Sequence, residues 1–180
     1  MQRVDPLRAE ATRISVHAFA TSWPTPVLLL RYVVDGDLKN QNRGPAGTMR
    51  HAVRRALKDR LTAPRPQGVR AVRTERVAVV RSDPDQALRP SYAIGRDKRC
   101  DVVLNDYTIS TQHARLHFVP HVSRWMIEDL GSTNQSYLNG SPLPPNQRGL
   151  ITSLDELRLG RMMFMYLEPT DLYAYLRGEY

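Results

Sequence analysis

Three short stretches hold the residues best suited to chemistry in this 180-residue chain: Ile94-Gly95-Arg96, Ser110-Thr111-Gln112-His113 and Gly131-Ser132-Thr133-Asn134. In this order and spacing they read as three loops delivering an arginine, a serine and an asparagine to one end of a β-sandwich. An arginine offers a planar fork of N–H donors that lysine could not copy. A hydroxyl adds a neutral donor, and an asparagine amide both donates and accepts. Such a set suits a phosphate monoester, which carries about −1.5 to −2 charges and three strong acceptor oxygens.

Rival chemistries are poorly served. Ser110 and His113 have the composition of a nucleophile–base pair. Yet the sequence marks no third orienting acid and no nucleophile-elbow motif, so no catalytic residue is expected. His113, His117 and His121 recur in steps of four, which would share one ligand only on a helix. The segment alternates like a strand, so no metal site is expected. The single cysteine, Cys100, excludes an intramolecular disulfide and a multi-cysteine metal site, and reads as a small buried hydrophobe. No cofactor is implied.

The elements that must hold these loops are strands. Val77–Val80 and Val102–Leu104 are short apolar runs, and Ser82–Pro90 is a turn-rich loop. Ala114, Leu116 and Phe118 alternate with Arg115 and His117. Trp125 and Ile127 alternate with Met126 and Glu128, and Leu157 and Leu159 flank Arg158. Met162–Leu167 ends the sheet region. Many short strands broken by turn residues predict an antiparallel sandwich, a mostly β fold. Asn139-Gly140 is a hairpin signal, because both residues tolerate positive φ. Residues 170–177 predict a short closing helix.

Upstream, the pattern is mixed. Leu7, Ala11, Ile14 and Ala18 lie at helical spacing, with Asp5 as N-cap and Pro6 in the first turn. Val27–Val34 reads as a strand. Met49, Val53, Ala56, Leu57 and Leu61 form one helix face behind Thr48, with Arg50, Arg54, Arg55 and Lys58 on the other. Pro64-Arg65-Pro66-Gln67-Gly68 stops that helix. The expected organisation is a basic α/β extension over 1–65, a linker over 66–75, the sandwich over 76–169 and a tail over 170–180.

Charge follows the same division. The net charge is +8, but residues 1–65 hold 12 basic against 5 acidic residues and residues 66–180 hold 14 against 13. The asymmetry hints at an acidic partner for the first segment. No aromatics lie near its basic helix, which weakens single-strand nucleic-acid binding. Only three of the 26 basic residues are lysines, which fits a GC-rich, bacterial genome. A mean hydropathy of −0.46, no long apolar run and no signal-peptide pattern at the start predict a cytoplasmic protein with no membrane contact.

From about Arg76 to Glu168 the chain resembles the forkhead-associated (FHA) family. The resemblance rests on Gly95-Arg96, Cys100-Asp101-Val102-Val103-Leu104, Ser110-x-x-His113 and Asp129-Leu130-Gly131-Ser132-Thr133-Asn134. Ser136-Tyr137-Leu138-Asn139-Gly140 and Leu157-Arg158-Leu159-Gly160 continue it. It implies an eleven-stranded β-sandwich whose loops bind a phosphothreonine peptide, a mode of recognition centred on arginine. By resemblance Arg96 and Ser110 hold the phosphate, with a backbone N–H or the Thr111 hydroxyl as a further donor. Thr133 and Asn134 sit on the opposing loop, and Asn134 holds the peptide backbone. His113 buttresses the loops, with Gly95, Gly131 and Asn139 as structural support. Gly95 and Gly131 read either as backbone positions needing close approach or unusual φ, or as plain turns.

Three positions depart from the family pattern. Thr111 stands where Arg, Lys or Asn is common, and Gln135 stands where Gly is usual after the asparagine. Thr108 stands where a charged residue often reads the peptide downstream of the phosphothreonine, and its neutrality argues against selection for an acidic residue. Thr108 and Gln135 are therefore the expected specificity positions. The implied partner is a phosphothreonine-containing protein, a Ser/Thr kinase or its substrate. The alternatives are a phosphate-independent assembly scaffold, or nucleic-acid binding through the basic segment.

Overall fold

Strand patterning becomes two packed sheets. The computed structural model describes residues 1–34, 69–80 and 89–179. One sheet has seven strands in the order β1 (Gln2–Arg3), β3 (Val69–Val79), β2 (Val27–Val34), β12 (Met162–Leu167), β11 (Glu156–Leu159), β8 (Ser136–Leu138) and β9 (Ser141–Pro142). The other has five: β10 (Arg148–Ile151), β7 (Arg124–Asp129), β6 (Ala114–Val119), β4 (Ser91–Gly95) and β5 (Val102–Val103). All strand pairs are antiparallel except β4 with β5. The described residues hold twelve strands, two of which, β1 and β2, lie upstream of the span for which eleven were implied, β1 being a two-residue edge strand on β3.

Alternation along the strands builds two cores. Leu28, Leu30, Phe164 and Tyr166 of the larger sheet face Tyr92, Ile94, Leu116, Trp125 and Ile127 of the smaller one. Their neighbours Val27, Leu29, Met165 and Leu167 point to the opposite face. That outer face is covered by α1 (Asp5–Ala11), α2 (Val16–Ser22) and α3 (Pro169–Arg177), through Leu7, Ala11, Phe19, Leu172 and Leu176. Burial on both faces is why Val27–Leu30 of β2 and the whole of β12 read as unbroken apolar runs rather than alternating ones. Tyr173 locks the helical layer. Its ring packs 5.5 Å from that of Phe19, and its hydroxyl donates to the Ile14 carbonyl at 3.0 Å.

Several expectations shift. The first helical stretch is two helices, and Asp5 is not a cap: α1 begins at Asp5 with no side-chain cap, behind the buried Val4. Ser15 caps α2 by accepting from the Ala18 N–H at 3.3 Å. The expected break between an extension ending at 65 and a sandwich beginning at 76 is not where the sheets divide. β2 lies inside the larger sheet, between β3 and β12, and β3 begins at Val69, within the expected linker. The reason is apolar burial, because β2 contributes side chains to both cores at once. The basic helix expected near residues 48–61 lies outside the described residues. The closing helix is present as α3, ended by Gly178 at φ 70°. No helix among the described residues is long and apolar enough to cross a membrane.

A chain beginning at residue 66 should therefore lack a central strand and the α1–α2 cover. We expect it to lose cooperative thermal unfolding by circular dichroism. An intact sharp transition in that truncation would show that β2 is dispensable.

Candidate functional site

The first loop leaves β4 at Gly95. A side-chain carbon on Gly95 would lie 2.2 Å from the Thr111 carbonyl oxygen, so only glycine permits the approach. That contact lets two loops zip together through their backbones. Arg96 N–H donates to the Ser110 carbonyl at 2.9 Å, Asp97 N–H to Thr111 at 3.1 Å, and His113 N–H to Ile94 at 2.9 Å. Arg96 is exposed, and its Nε donates to the Ile109 carbonyl at 3.2 Å. Among the described residues no carboxylate pairs with it; the neighbouring Asp97 is bound to Arg99 instead. The guanidinium is thus oriented by a neutral carbonyl, and no carboxylate among the described residues neutralises its charge.

The second loop is fixed by a histidine. His113 is 0% exposed. Its Nδ1 accepts from the Ser110 N–H at 3.1 Å, and its Nε2 lies 3.3 Å from the Gln135 carbonyl oxygen. An N–H donor at Nδ1 requires that nitrogen to be unprotonated, so the ring is neutral with its proton on Nε2, donating to Gln135. Burial pushes its pKa below the usual histidine range, which agrees. The imidazole therefore bridges the Ser110 loop to the Asn134 loop. It does not engage the Ser110 hydroxyl, so the two residues form no nucleophile–base pair. The Ser110 Oγ instead accepts from the Thr133 N–H at 3.2 Å, a second tie between the same loops.

The third loop hangs on Asp129. This buried carboxylate accepts from the Ser132 N–H at 2.8 Å, the Ser132 hydroxyl at 2.7 Å and the Ser136 hydroxyl. Burial works to raise its pKa, but the Ser136 and Ser132 donors outweigh that and hold it below the ordinary range. Within the turn so formed, Gly131 has φ 73° with open space around it. It is needed for its backbone conformation, not for close approach. Gln135 adopts φ 59°, so the turn forms without glycine there, and its side-chain oxygen accepts from the Tyr137 hydroxyl at 2.7 Å. Asn134 Nδ2 donates to the Thr108 carbonyl at 2.9 Å. Asp129 is the site residue that the motif reading underused. Its signal is an acid with serines three and seven residues later.

Thr108 requires a correction. Its side chain is not a peptide-reading surface, being only 5% exposed. Its hydroxyl donates to Asp106 at 2.7 Å and accepts from the Arg161 N–H at 3.2 Å. Gly160, at φ 52°, packs so close that an added side-chain carbon would meet that hydroxyl at 2.6 Å. Thr111 and Thr133 are exposed, and their hydroxyls have no partner among the described residues. Asn139, at φ 50°, bonds Asp155 and the Glu156 N–H, so it supports the β8–β9 turn rather than the three loops. No cluster among the described residues is suited to hold a metal ion.

Comparison with known proteins locates this arrangement. The family model "FHA domain" matches residues 92–160, which span all three loops. The oxoglutarate dehydrogenase inhibitor of Corynebacterium diphtheriae is 30% identical over 80 residues, covering 44% of this chain and 52% of that protein. The FHA domain-containing protein FhaB of Mycolicibacterium smegmatis is 52% identical over 46 residues, covering 26% of this chain and 28% of that protein. The chain thus spans about half or less of the length of these relatives. Among solved structures, the N-terminal FHA domain of S. cerevisiae Rad53p with a phosphothreonine peptide aligns with a TM-score of 0.44 and 22% identity, covering 52% of this chain and 84% of that one.

The His113 bridge has a pH signature. A depressed folded-state pKa means that its stabilisation is complete above about pH 6.5 and is lost as pH falls, since the unfolded chain takes up the proton first. The stability difference between wild type and H113N, from urea unfolding, should therefore shrink between pH 7.5 and pH 5. A difference independent of pH would contradict the neutral bridge. The three loops bound to one another at the backbone lie within residues 92–160, the stretch of this chain that is similar to the FHA domain family.

Proposed function

We propose that this chain is a non-catalytic reader of phosphothreonine on a partner protein, acting in Ser/Thr kinase signalling in the cytoplasm. The observation that carries the reading is Arg96: exposed, without a carboxylate partner among the described residues, and aligned by Ile109 on a loop bonded to that of Ser110. A phosphate dianion offers the acceptors that this guanidinium lacks. In this reading the Ser110 hydroxyl, which accepts from Thr133, turns its own hydrogen to the phosphate. The Thr111 hydroxyl adds a donor. Thr133 and Asn134 line the opposing side, where the amide oxygen of Asn134 accepts from the peptide backbone. The partner is a kinase or one of its substrates.

Arg96→Ala tests this. Hydrogen bonds to charged groups contribute about 1.5–3 kcal/mol each, so affinity for a phosphothreonine peptide should fall at least about ten-fold by calorimetry. The melting temperature should hardly move, because the side chain is exposed. Equal binding of unphosphorylated peptides by the wild type would replace the reading with a phosphate-independent scaffold.

A further inference from the structure

Two arginines face each other at one edge of the larger sheet, outside residues 92–160. β1 is the edge strand, and its register on β3 sets Arg3 directly opposite Arg76. Opposed residues on antiparallel strands project to the same face, with Cβ atoms about 4.5–5.5 Å apart. That face is the inner one. Val77 packs under the helical layer and Ala78 into the core between the sheets, so Arg76 projects to the same side as Ala78. Both arginines are nonetheless exposed. The smaller sheet ends at β5, which packs on β3 and leaves the rim beyond it open.

Like charges directly opposite one another destabilise a sheet. Among the described residues neither guanidinium has a carboxylate or a hydrogen-bond partner. A charge on an edge strand discourages stray pairing, but a single arginine does that. Two in register add a repulsion that an anion between them removes. We propose that Arg3 and Arg76 grip one carboxylate on an acidic, extended segment of a partner protein, at a site separate from the Arg96 loops and independent of phosphothreonine.

Chemistry and place agree on that occupant. Guanidinium groups present planar forks that match carboxylate oxygens, and two of them can share one anion from opposite sides. An extended segment suits the position, since an edge strand offers its free backbone groups to a further strand. Nucleic acid suits it poorly. Its affinity is built from many phosphate contacts, and this site supplies two cations. The pair also lies on the edge of the sandwich that bears β5, beside β4, from whose end the Arg96 loop leaves. A partner held at Arg96 therefore has a second point of contact on the same edge of the molecule.

An NMR titration of the full chain with a hexaglutamate peptide, read at the Arg3 and Arg76 Nε–H signals, tests the site. In wild type both signals should shift with hexaglutamate and stay still with hexaglutamine. In R3Q the Arg76 signal should titrate about ten-fold more weakly, and in R76Q the Arg3 signal likewise, because each arginine supplies half the grip. R96A should leave both titrations as in wild type. R76Q should melt no lower than wild type, since this exposed side chain has only a repulsion to lose. Absence of shifts, or an unchanged Arg76 titration in R3Q, overturns the shared site. So does a marked fall in the R76Q melting temperature, which would give Arg76 a role inside the fold. Tighter titration of the same two signals by a single-stranded oligonucleotide than by hexaglutamate overturns the acidic-segment assignment in favour of nucleic acid. None of these outcomes bears on phosphothreonine binding, which R96A tests separately with a phosphopeptide.

Discussion

The site depends on a single close approach, the backbone of Gly95 against the carbonyl of Thr111. At 2.2 Å from that oxygen, no side-chain carbon fits at position 95. The approach allows the Arg96 and Ser110 loops to satisfy each other with backbone hydrogen bonds. His113 then extends the same principle to the third loop, bonding Ser110 on one side and Gln135 on the other as a neutral ring. Because backbone groups and buried side chains hold the loops together, the arginine is not consumed in doing so. A preorganised cation of this kind loses little on binding an anion, since the ordering cost is met in folding.

The two sheets serve the loops in different ways. The smaller sheet launches the Arg96 loop from β4 and ends the Ser110 loop at β6. The larger sheet reaches the site from behind, where the β11–β12 turn sets Gly160 and Arg161 against Thr108. β12 is also the strand against which β2 pairs, and both strands are buried on two faces. Thus the first 34 residues, with α1 and α2, stabilise the same sheet whose far turn braces the ligand loops. The helical layer is connected to the site through packing, with no residue of its own in it among the described residues.

Local sequence revealed the parts whose chemistry is local. Arg96, Ser110 and Asn134 stand out because their types and spacing fit one ligand, His113 stands out as part of the Ser110-x-x-His113 motif, and period-two alternation marks β6 and β7. Features set by distant packing were harder to read. Thr108 looks like an exposed loop residue until Gly160, 52 positions later, closes over it. Val27–Val34 looks like part of a separate extension because charge and proline divide it from the downstream strands. Only pairing with β12 shows that it completes the larger sheet. Gln135 departs from the expected glycine, yet its turn is held by its carbonyl bonds to His113 and Gly160 and its side-chain bond to Tyr137. Asp5 fails as a cap because the buried Val4 precedes it and the helix starts at the aspartate itself.

The central claim is that a prebuilt set of loops meets a phosphate through Arg96. An amide NMR titration addresses it most directly, using the tightest phosphothreonine peptide and its unphosphorylated twin. The Arg96 Nε–H and the amides of Ser110, Thr111, Thr133 and Asn134 should shift together with the phosphorylated peptide alone, while the core amides of β6 and β7 stay still. Identical shifts with both peptides, or shifts confined to residues outside these loops, would contradict it.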